Sequence, residues 1–207
     1  MLRLALAVLL TLPASAYAKT EKAIVAGGCF WCVESDFEGV PGVSGVVSGY
    51  TGGFTKNPTY EQVGKDGTGH YEAVEITFDN ARISYAEVIS KFLRSIDVTD
   101  AGGQFCDRGK SYRSAIFVSD AAQKATSVAA VAEAEAALGQ SVVTPILNAK
   151  TFWPAEAYHQ DYYKGSNIVL TRAGPKKQSN AYKFYRKSCG RDDRVKALWG
   201  AEAAFAR

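Results

Sequence analysis

Apolar strands alternate with amphipathic helices along residues 21–147, and this alternation limits the chain to folds in which helices cover a sheet. Residues 71–78 alternate between two strand faces, with Glu72 on the face that carries apolar side chains. Residues 84–96 place apolar side chains at helical spacing behind a capping box of Ser84 and Glu87. Strands are predicted at 21–26, 43–50, 71–78, 114–118 and 142–147, and helices at 29–38, 84–96 and 120–138. The expected fold class is an α/β (α+β) sandwich, a mixed β-sheet flanked by helices.

Residues 1–18 have the pattern of a secretory signal peptide. Arg3 gives a positive start, residues 4–12 form an apolar run, and Ala16-Tyr17-Ala18 is a small-x-small cleavage site. The run is too short for a stable membrane-spanning helix, so we expect cleavage after Ala18 and no stable membrane anchor. The prediction is an exported, periplasmic protein whose mature part, residues 19–207, forms a single domain. Because Met1 is the only methionine, the mature chain would contain none.

The C-terminal segment, residues 174–207, is basic, with nine Lys or Arg against Asp192, Asp193 and Glu202. Aromatic residues are interleaved with these charges, a pattern that also occurs in nucleic-acid-binding proteins. The whole chain has a net charge of only +3, and an exported protein rarely meets nucleic acid, so we expect no such partner. The segment is predicted to be long, irregular and mostly solvated, anchored to the domain by its aromatic side chains.

A cysteine pair lies where the first strand passes into the first helix, in the segment GGCFWC at residues 27–32. The first N–H groups of a helix lack internal partners, and the helix dipole favours negative charge there. We therefore expect a lowered pKa and a reactive thiolate at Cys29. Cys32 follows three residues later on the same helical face, within side-chain reach.

Three kinds of chemistry use such a cysteine pair. A structural zinc site needs four ligands, and the other two cysteines and both histidines are isolated in the sequence, so no metal is expected. A thioredoxin-like protein would exchange disulfides through Cys29 and Cys32. In a sulfenic-acid enzyme, the substrate oxidises Cys29 and a second thiol resolves the product.

Glu72 favours the sulfenic-acid chemistry. A carboxyl on an apolar strand face is desolvated, which raises its pKa and keeps it protonated as a general acid. Glu72 also lies at the start of its strand, where it could simply reach water. The pattern alone leaves both interpretations open.

Six separated motifs then carry a family resemblance. In chain order they are GCFW at 28–31, GYTGG at 49–53, NPTY at 57–60, GHYE at 69–72, QFCDRG at 104–109 and SYRSA at 111–115. Between about Lys22 and Tyr163 the chain resembles the A-type peptide methionine sulfoxide reductases, the class that reverses methionine oxidation. The resemblance implies an α/β sandwich with a long C-terminal coil, no metal and no organic cofactor. The implied substrate is the S epimer of methionine sulfoxide, free or in proteins.

The resemblance also implies a role for each catalytic residue. Cys29 would attack the sulfoxide sulfur, and Glu72 would protonate the sulfoxide oxygen. Tyr60 and Tyr112 would donate hydrogen bonds to that oxygen as charge builds on it. Asp107 would support the site through hydrogen bonds to these groups.

Substrate binding and resolution involve further positions. By resemblance, Phe30 and Trp31 form the apolar pocket for the substrate methyl group. Many family members have glycine in place of Cys32 and resolve with a C-terminal cysteine, whereas this chain has both Cys32 and Cys189. Either cysteine could resolve Cys29, or the two could act as a relay. Cys106 is interpreted as a small buried residue.

The expected enzyme is a peptide-methionine (S)-S-oxide reductase, a monomer that a thioredoxin-like dithiol donor recycles. Two other functions are considered. A general disulfide oxidoreductase would use Cys29 and Cys32 but would leave Tyr60, Glu72 and Tyr112 without a role. A binding protein could hold oxidised methionine without turning it over.

Overall fold

The computed structural model describes residues 19–172 and 174–206. The predicted signal peptide and its cleavage site, residues 1–18, lie outside the described residues. Within the described part of the chain, no helix is both long enough and apolar enough to cross a membrane.

A six-stranded sheet forms the centre of the fold. The strands of the chain are β1 (Thr20–Gly27), β2 (Val43–Thr51), β3 (Tyr71–Asp79), β4 (Gly103–Gln104), β5 (Asp107–Arg108), β6 (Ser114–Val118), β7 (Ile146–Asn148), β8 (Trp153–Pro154), β9 (Ile168–Thr171) and β10 (Gly174–Lys177). The order in the large sheet is β7-β6-β1-β3-β2-β8. Only β6 and β7 pair in parallel, and the other neighbours are antiparallel. The predicted mixed sheet is therefore confirmed.

Helices cover this sheet. They are α1 (Phe30–Phe37), α2 (Tyr60–Gly64), α3 (Tyr85–Leu93), α4 (Ala121–Leu138), α5 (Gln178–Ser188) and α6 (Arg191–Trp199). The predicted capping box of α3 is present, since Ser84 Oγ accepts from the N–H of Glu87 while the Glu87 carboxylate accepts from the N–H of Ser84. The apolar stripe of α3 is buried in the main core, although the helix ends three residues before the predicted end at Ile96.

The predicted alternation in β3 is also confirmed. Val74, Ile76 and Phe78 are fully buried, and β1 pairs with them so that Val25 lies opposite Val74. The same strand carries Glu72 into the interior, because side chains two residues apart share a face. The centre of the sheet thereby brings a carboxyl to the end of β1, next to the start of α1.

Two predictions about the later part of the chain are wrong. The strand predicted at 142–147 is only β7, Ile146–Asn148, because the chain before it turns to other partners: the N–H of Val143 donates to the carbonyl of Val98, which lies outside the sheet. The C-terminal segment is not irregular: β9 and β10 form a hairpin, and α5 and α6 follow. Nor is it mostly solvated, since Arg186 and Arg191 are buried. Tyr182 is buried as an anchor, whereas Phe184 is half exposed.

Candidate active site

Cys29 lies in the turn between β1 and α1, at the position that caps the helix. The preceding Gly28 has φ = 79°, in the left-handed region where glycine is favoured. A Cβ on Gly28 would lie 2.5 Å from Cβ of Gln104, so no larger residue fits without a shift. This glycine lets the chain turn from the central strand and place Cys29 at its end.

A small cavity of about 80 Å³ opens at Cys29. It is lined by every residue to which the resemblance gave a catalytic or substrate-binding role, and by one more: Cys29, Phe30, Trp31, Tyr60, Glu72, Asp107, Tyr112 and Tyr185. A cavity of this size accommodates the end of one side chain. We call it the catalytic pocket. Tyr185, from α5, is the lining residue that the sequence interpretation did not place there.

Glu72 is buried in the wall of the catalytic pocket. Burial raises the pKa of its carboxyl to about 8, although the N–H of Phe30 donates to Oε2 at 3.1 Å and lowers it in part. The carboxyl is therefore mainly protonated at pH 7. The interpretation that Glu72 simply reaches water is wrong.

Tyr60 and Tyr112 face Glu72 across the catalytic pocket. Burial raises the pKa of Tyr60 to about 12 and raises that of Tyr112 further, so both hydroxyls remain hydrogen-bond donors. Glu156 fixes this wall, because its carboxylate accepts from the N–H of Tyr60 at 2.9 Å and from the Tyr50 hydroxyl at 2.8 Å. Glu156 lies 96 residues from Tyr60, and no motif in the sequence points to it.

Asp107 closes the pocket on the side of the C-terminal helices. Its carboxylate accepts a hydrogen bond from the Tyr185 hydroxyl, and burial raises its pKa. The prediction is that Asp107 forms hydrogen bonds with the catalytic groups. In the structure its partner is Tyr185, and no hydrogen bond between Asp107 and Tyr60 or Tyr112 is found among the described residues.

Trp31 is held from two sides. Its Nε1–H donates to Nδ1 of His159 at 3.2 Å, and its ring stacks on Tyr162 with centroids 3.8 Å apart and planes 6° apart. Burial lowers the pKa of His159 to about 4, so the imidazole is neutral and can accept this bond. The indole is thereby fixed at the mouth of the catalytic pocket.

The two cysteines of the GGCFWC segment are free and buried. Burial raises the pKa of Cys29, and the nearby Cys32, Glu72 and Asp107 raise it too. The predicted lowering at Cys29 is therefore wrong in direction. The physical reason is burial, which disfavours the thiolate, and the first N–H of α1, that of Phe30, is bonded to Glu72 and does not offset it.

Cys32 has the opposite environment. A hydrogen bond from Cys29 lowers the pKa of Cys32, and the guanidinium groups of Arg191 and Arg186 add to this effect. Arg186 Nη1 lies 2.7 Å from Oδ1 of Asp36, and Arg191 Nη2 lies 3.8 Å from Oδ2 of the same residue. The C-terminal helices thus place buried positive charge behind the second cysteine.

The remaining cysteines form a disulfide that joins Cys106 to Cys189 over 83 residues of sequence. Cys106 is exposed and disulfide-bonded, so its interpretation as a small buried residue is wrong. In this state Cys189 is not a free thiol, and it is not part of the lining of the catalytic pocket. Cys32 is the thiol within reach of Cys29.

One group in the described residues has the ligand types and spacing of a metal site. It consists of Glu34, Glu38 and Asp161, away from the catalytic pocket. Lys164 Nζ lies 2.8 Å from Glu38 and 2.9 Å from Asp161. The Lys164 ammonium group therefore compensates negative charge on Glu38 and Asp161.

Comparison with known proteins agrees with this geometry. The family model described as peptide methionine sulfoxide reductase matches residues 21–202. The chain belongs to that family. Peptide methionine sulfoxide reductase MsrA 2 of Caulobacter vibrioides is 48% identical over 197 residues, which cover 95% of this chain and 94% of that protein. MsrA of Bacillus subtilis is 45% identical over 186 residues, covering 89% and 98%.

Solved structures show the same fold. Methionine sulfoxide reductase A of Corynebacterium diphtheriae matches with a TM-score of 0.63 and 30% identity, over 70% of this chain and 74% of that one. The reduced form of Mxr1 from Saccharomyces cerevisiae gives a TM-score of 0.67 and 25% identity, over 72% and 90%. The resemblance and the fold class predicted from the motifs are both confirmed.

Proposed function

We propose that this reductase converts the S epimer of methionine sulfoxide, free and in proteins, to methionine. The observation that carries the proposal is the catalytic pocket, where the Cys29 thiol shares about 80 Å³ with the Glu72 carboxyl, which burial keeps protonated. A sulfoxide needs a nucleophile at sulfur and a proton at oxygen, and this pocket supplies both.

The first step reduces the substrate. The sulfoxide oxygen lies toward Glu72, Tyr60 and Tyr112, and the methyl group lies against Phe30 and Trp31. The Cys29 thiolate attacks the substrate sulfur, and Glu72 transfers its proton to the oxygen, which gives a sulfurane that carries both the hydroxyl and the Cys29 sulfur. The hydroxyl then moves to Sγ of Cys29 as the bond between the two sulfur atoms and the substrate sulfur–oxygen bond break. The oxygen ends on Cys29 as a sulfenic acid, and methionine leaves. Tyr60 and Tyr112 donate hydrogen bonds to the charge that develops on the oxygen.

The second step converts the sulfenic acid into a disulfide. Cys32 attacks the sulfenic sulfur of Cys29, a disulfide forms, and the hydroxyl leaves as water after taking one proton. The hydrogen bond between the two thiols and the arginines behind Cys32 support this assignment. Cys189 is bound to Cys106, which argues against its direct attack on Cys29. A thioredoxin-type dithiol donor then reduces the Cys29–Cys32 disulfide by exchange.

The deciding experiment offers the two epimers of methionine sulfoxide separately, with a small dithiol as reductant. We expect loss of the S epimer only. No loss of the S epimer would refute the proposal, and activity on protein disulfides alone would favour the general disulfide oxidoreductase.

We also propose that the protein works outside the cytoplasm as a monomer. The support for export is residues 1–18, whose charged start, apolar run and cleavage site match a secretory signal. Export would require an exported or membrane-linked dithiol donor. Expression of the full chain in a bacterium, followed by intact mass of the extracytoplasmic fraction, tests cleavage after Ala18. Recovery of the uncleaved chain in the cytoplasm would refute it, and sedimentation tests the monomer.

A further inference from the structure

A second and larger cavity, of about 560 Å³, opens directly beside the catalytic pocket. Trp31, Asp107 and Tyr185 line both, so the two spaces meet at these three side chains. We call the second cavity the flanking groove. Its walls come from α1, from the segment around β5, from the turn near Tyr162 and from α5.

The walls of the flanking groove are largely apolar and aromatic. Trp31 and Tyr162 form one wall as a stacked pair, and Ala181 and Phe184 of α5 form another. Phe184 is 50% exposed, whereas most phenylalanine side chains in folded proteins are buried. The Cys106–Cys189 disulfide lies in the same lining and ties α5 to the β5 segment.

Positive charge lies beside these apolar walls. Arg172 lines the groove, and Lys176 places its Nζ 5.8 Å from the ring centroid of Phe184. The one carboxyl in the lining, that of Asp107, accepts a hydrogen bond from Tyr185. An apolar chain that carries negative charge therefore complements this surface better than a basic one.

The two cavities differ in what they can hold. The catalytic pocket accommodates the end of one side chain, so the backbone of an oxidised protein lies outside it, and Trp31, Asp107 and Tyr185 border both spaces. The flanking groove is then in reach of the residues next to the oxidised methionine, since it adjoins the catalytic pocket at these three side chains. An extended chain advances about 3.3 Å per residue, so a neighbouring side chain reaches the groove within one or two positions.

We propose that the flanking groove binds the polypeptide segment next to the oxidised methionine of a protein substrate. It accepts an aromatic or aliphatic side chain against Phe184 and favours an acidic residue near Arg172. The proposal rests on the proposed function, because it extends the same active site. The flanking groove makes the enzyme select among oxidised methionines by the residues next to them in the sequence, whereas free methionine sulfoxide binds in the catalytic pocket alone.

The experiment compares three substrates, all with the S epimer. The first is N-acetyl-methionine sulfoxide methylamide, which has no neighbouring side chain. The others are acetylated, amidated pentapeptides with methionine sulfoxide at the centre and either phenylalanine or serine on both sides. Methionine formation is measured in a single turnover, with enzyme whose Cys29 and Cys32 are reduced and whose reductant has been removed. A thiol titration determines which of the four cysteines are reduced before the reaction, and no donor protein is present.

We expect the wild type to prefer the phenylalanine peptide over the serine peptide by about tenfold in the second-order rate, which corresponds to about 1.4 kcal/mol. Phe184→Ala should abolish this preference and leave the rate with the methylamide unchanged, because Phe184 lies outside the catalytic pocket. Phe54→Ala is the matched control, since Phe54 is exposed and lies in neither lining. It should retain the full preference.

A second comparison tests the preference for charge. It uses the serine peptide with glutamate or lysine at its two outer positions. The wild type should prefer glutamate by about threefold at low salt, and the preference should fall as salt screens the charges. Arg172→Gln should remove it, whereas Arg82→Gln, at an exposed position away from the groove, should not.

Each other outcome overturns the inference. A preference that survives Phe184→Ala, or an equal loss on the methylamide and the peptides, excludes a substrate groove. A defect that appears only in multiple turnovers with a protein dithiol donor assigns the groove to the donor instead. Failure of the proposed function looks different, because the wild type would then reduce none of the three substrates.

Discussion

The first backbone N–H of α1, that of Phe30, donates to Oε2 of Glu72 at 3.1 Å. The helix start that follows Cys29 therefore stabilises a carboxyl on the neighbouring strand and not the cysteine sulfur. Burial still dominates at Glu72 and raises its pKa to about 8, and burial also raises the pKa of Cys29. The resting catalytic pocket thus holds two protons, one on the acid and one on the nucleophile.

Glu72→Gln tests the acid role. Glutamine can accept the Phe30 N–H but cannot give a proton, so we expect methionine formation in a single turnover to slow by about 10²- to 10⁴-fold. Alkylation of Cys29 should not slow, because the variant lacks the carboxylate that raises the pKa of Cys29. An unchanged rate of methionine formation would remove Glu72 from the mechanism.

The pH profile gives an independent signature of the same pair. The reactive form has lost one of its two protons, so kcat/KM in the wild type should rise through about pH 8 and fall above the pKa of Cys29. The two pKa values that bound the profile belong to the coupled Glu72–Cys29 pair and not to either residue alone. Glu72→Gln has no acid to ionise, so its low rate should show no alkaline fall. An alkaline fall that persists in this variant would have to come from another group.

The resolving step separates Cys32 from Cys189. In Cys32→Ser, a single turnover should leave a sulfenic acid on Cys29 that a trapping reagent labels, and no disulfide of Cys29 should form. The matched variant, with Cys106 and Cys189 both changed to Ser, should form the Cys29–Cys32 disulfide in full. Peptide mapping by mass spectrometry reads both results. A disulfide between Cys29 and Cys189 in the Cys32→Ser variant would restore Cys189 as a resolving cysteine.

Arg191 should control the reactivity of Cys32. Its guanidinium is buried and its Nη1 donates to the carbonyl of Gly27 at 3.2 Å, next to the turn that carries Cys29. Arg191→Met removes positive charge that lowers the pKa of Cys32, so alkylation of Cys32 should shift to higher pH. Arg191→Lys keeps the charge and should shift the profile less.

Arg191→Met also leaves Asp36 with less compensation, and breaking a buried ion pair costs about 3–5 kcal/mol. Alkylation must therefore be measured where thermal denaturation shows that the variant is folded. Equal profiles for the folded Met variant and the wild type would contradict an electrostatic role of Arg191.

The sequence and the structure agree where a local pattern decides the outcome. The β3 alternation predicts which side of the sheet receives Glu72, and the capping box predicts the start of α3. They differ where distant residues decide it. The charges of α5 and α6 look solvated in the sequence, but Arg186 is buried because Asp36, 150 residues away, neutralises it. The pairing of Cys106 with Cys189 likewise depends on how α5 docks, which no spacing between cysteines encodes.

The burial of Glu72 should also appear in the pH dependence of stability. Its pKa rises from 4.5 to about 8 in the folded chain, so between these values the folded chain keeps a proton that the unfolded chain has released. Stability contributed by this group is present below about pH 4.5 and is lost as the pH rises toward 8. Glu72→Gln lacks the titration, so the urea midpoint of the wild type minus that of the variant should fall between pH 5 and 8. Taking this difference removes the effect of Glu34, whose pKa burial raises to about 7. A constant difference across this range would show that Glu72 is ionised in the folded protein, and the proton donor would then have to be another group.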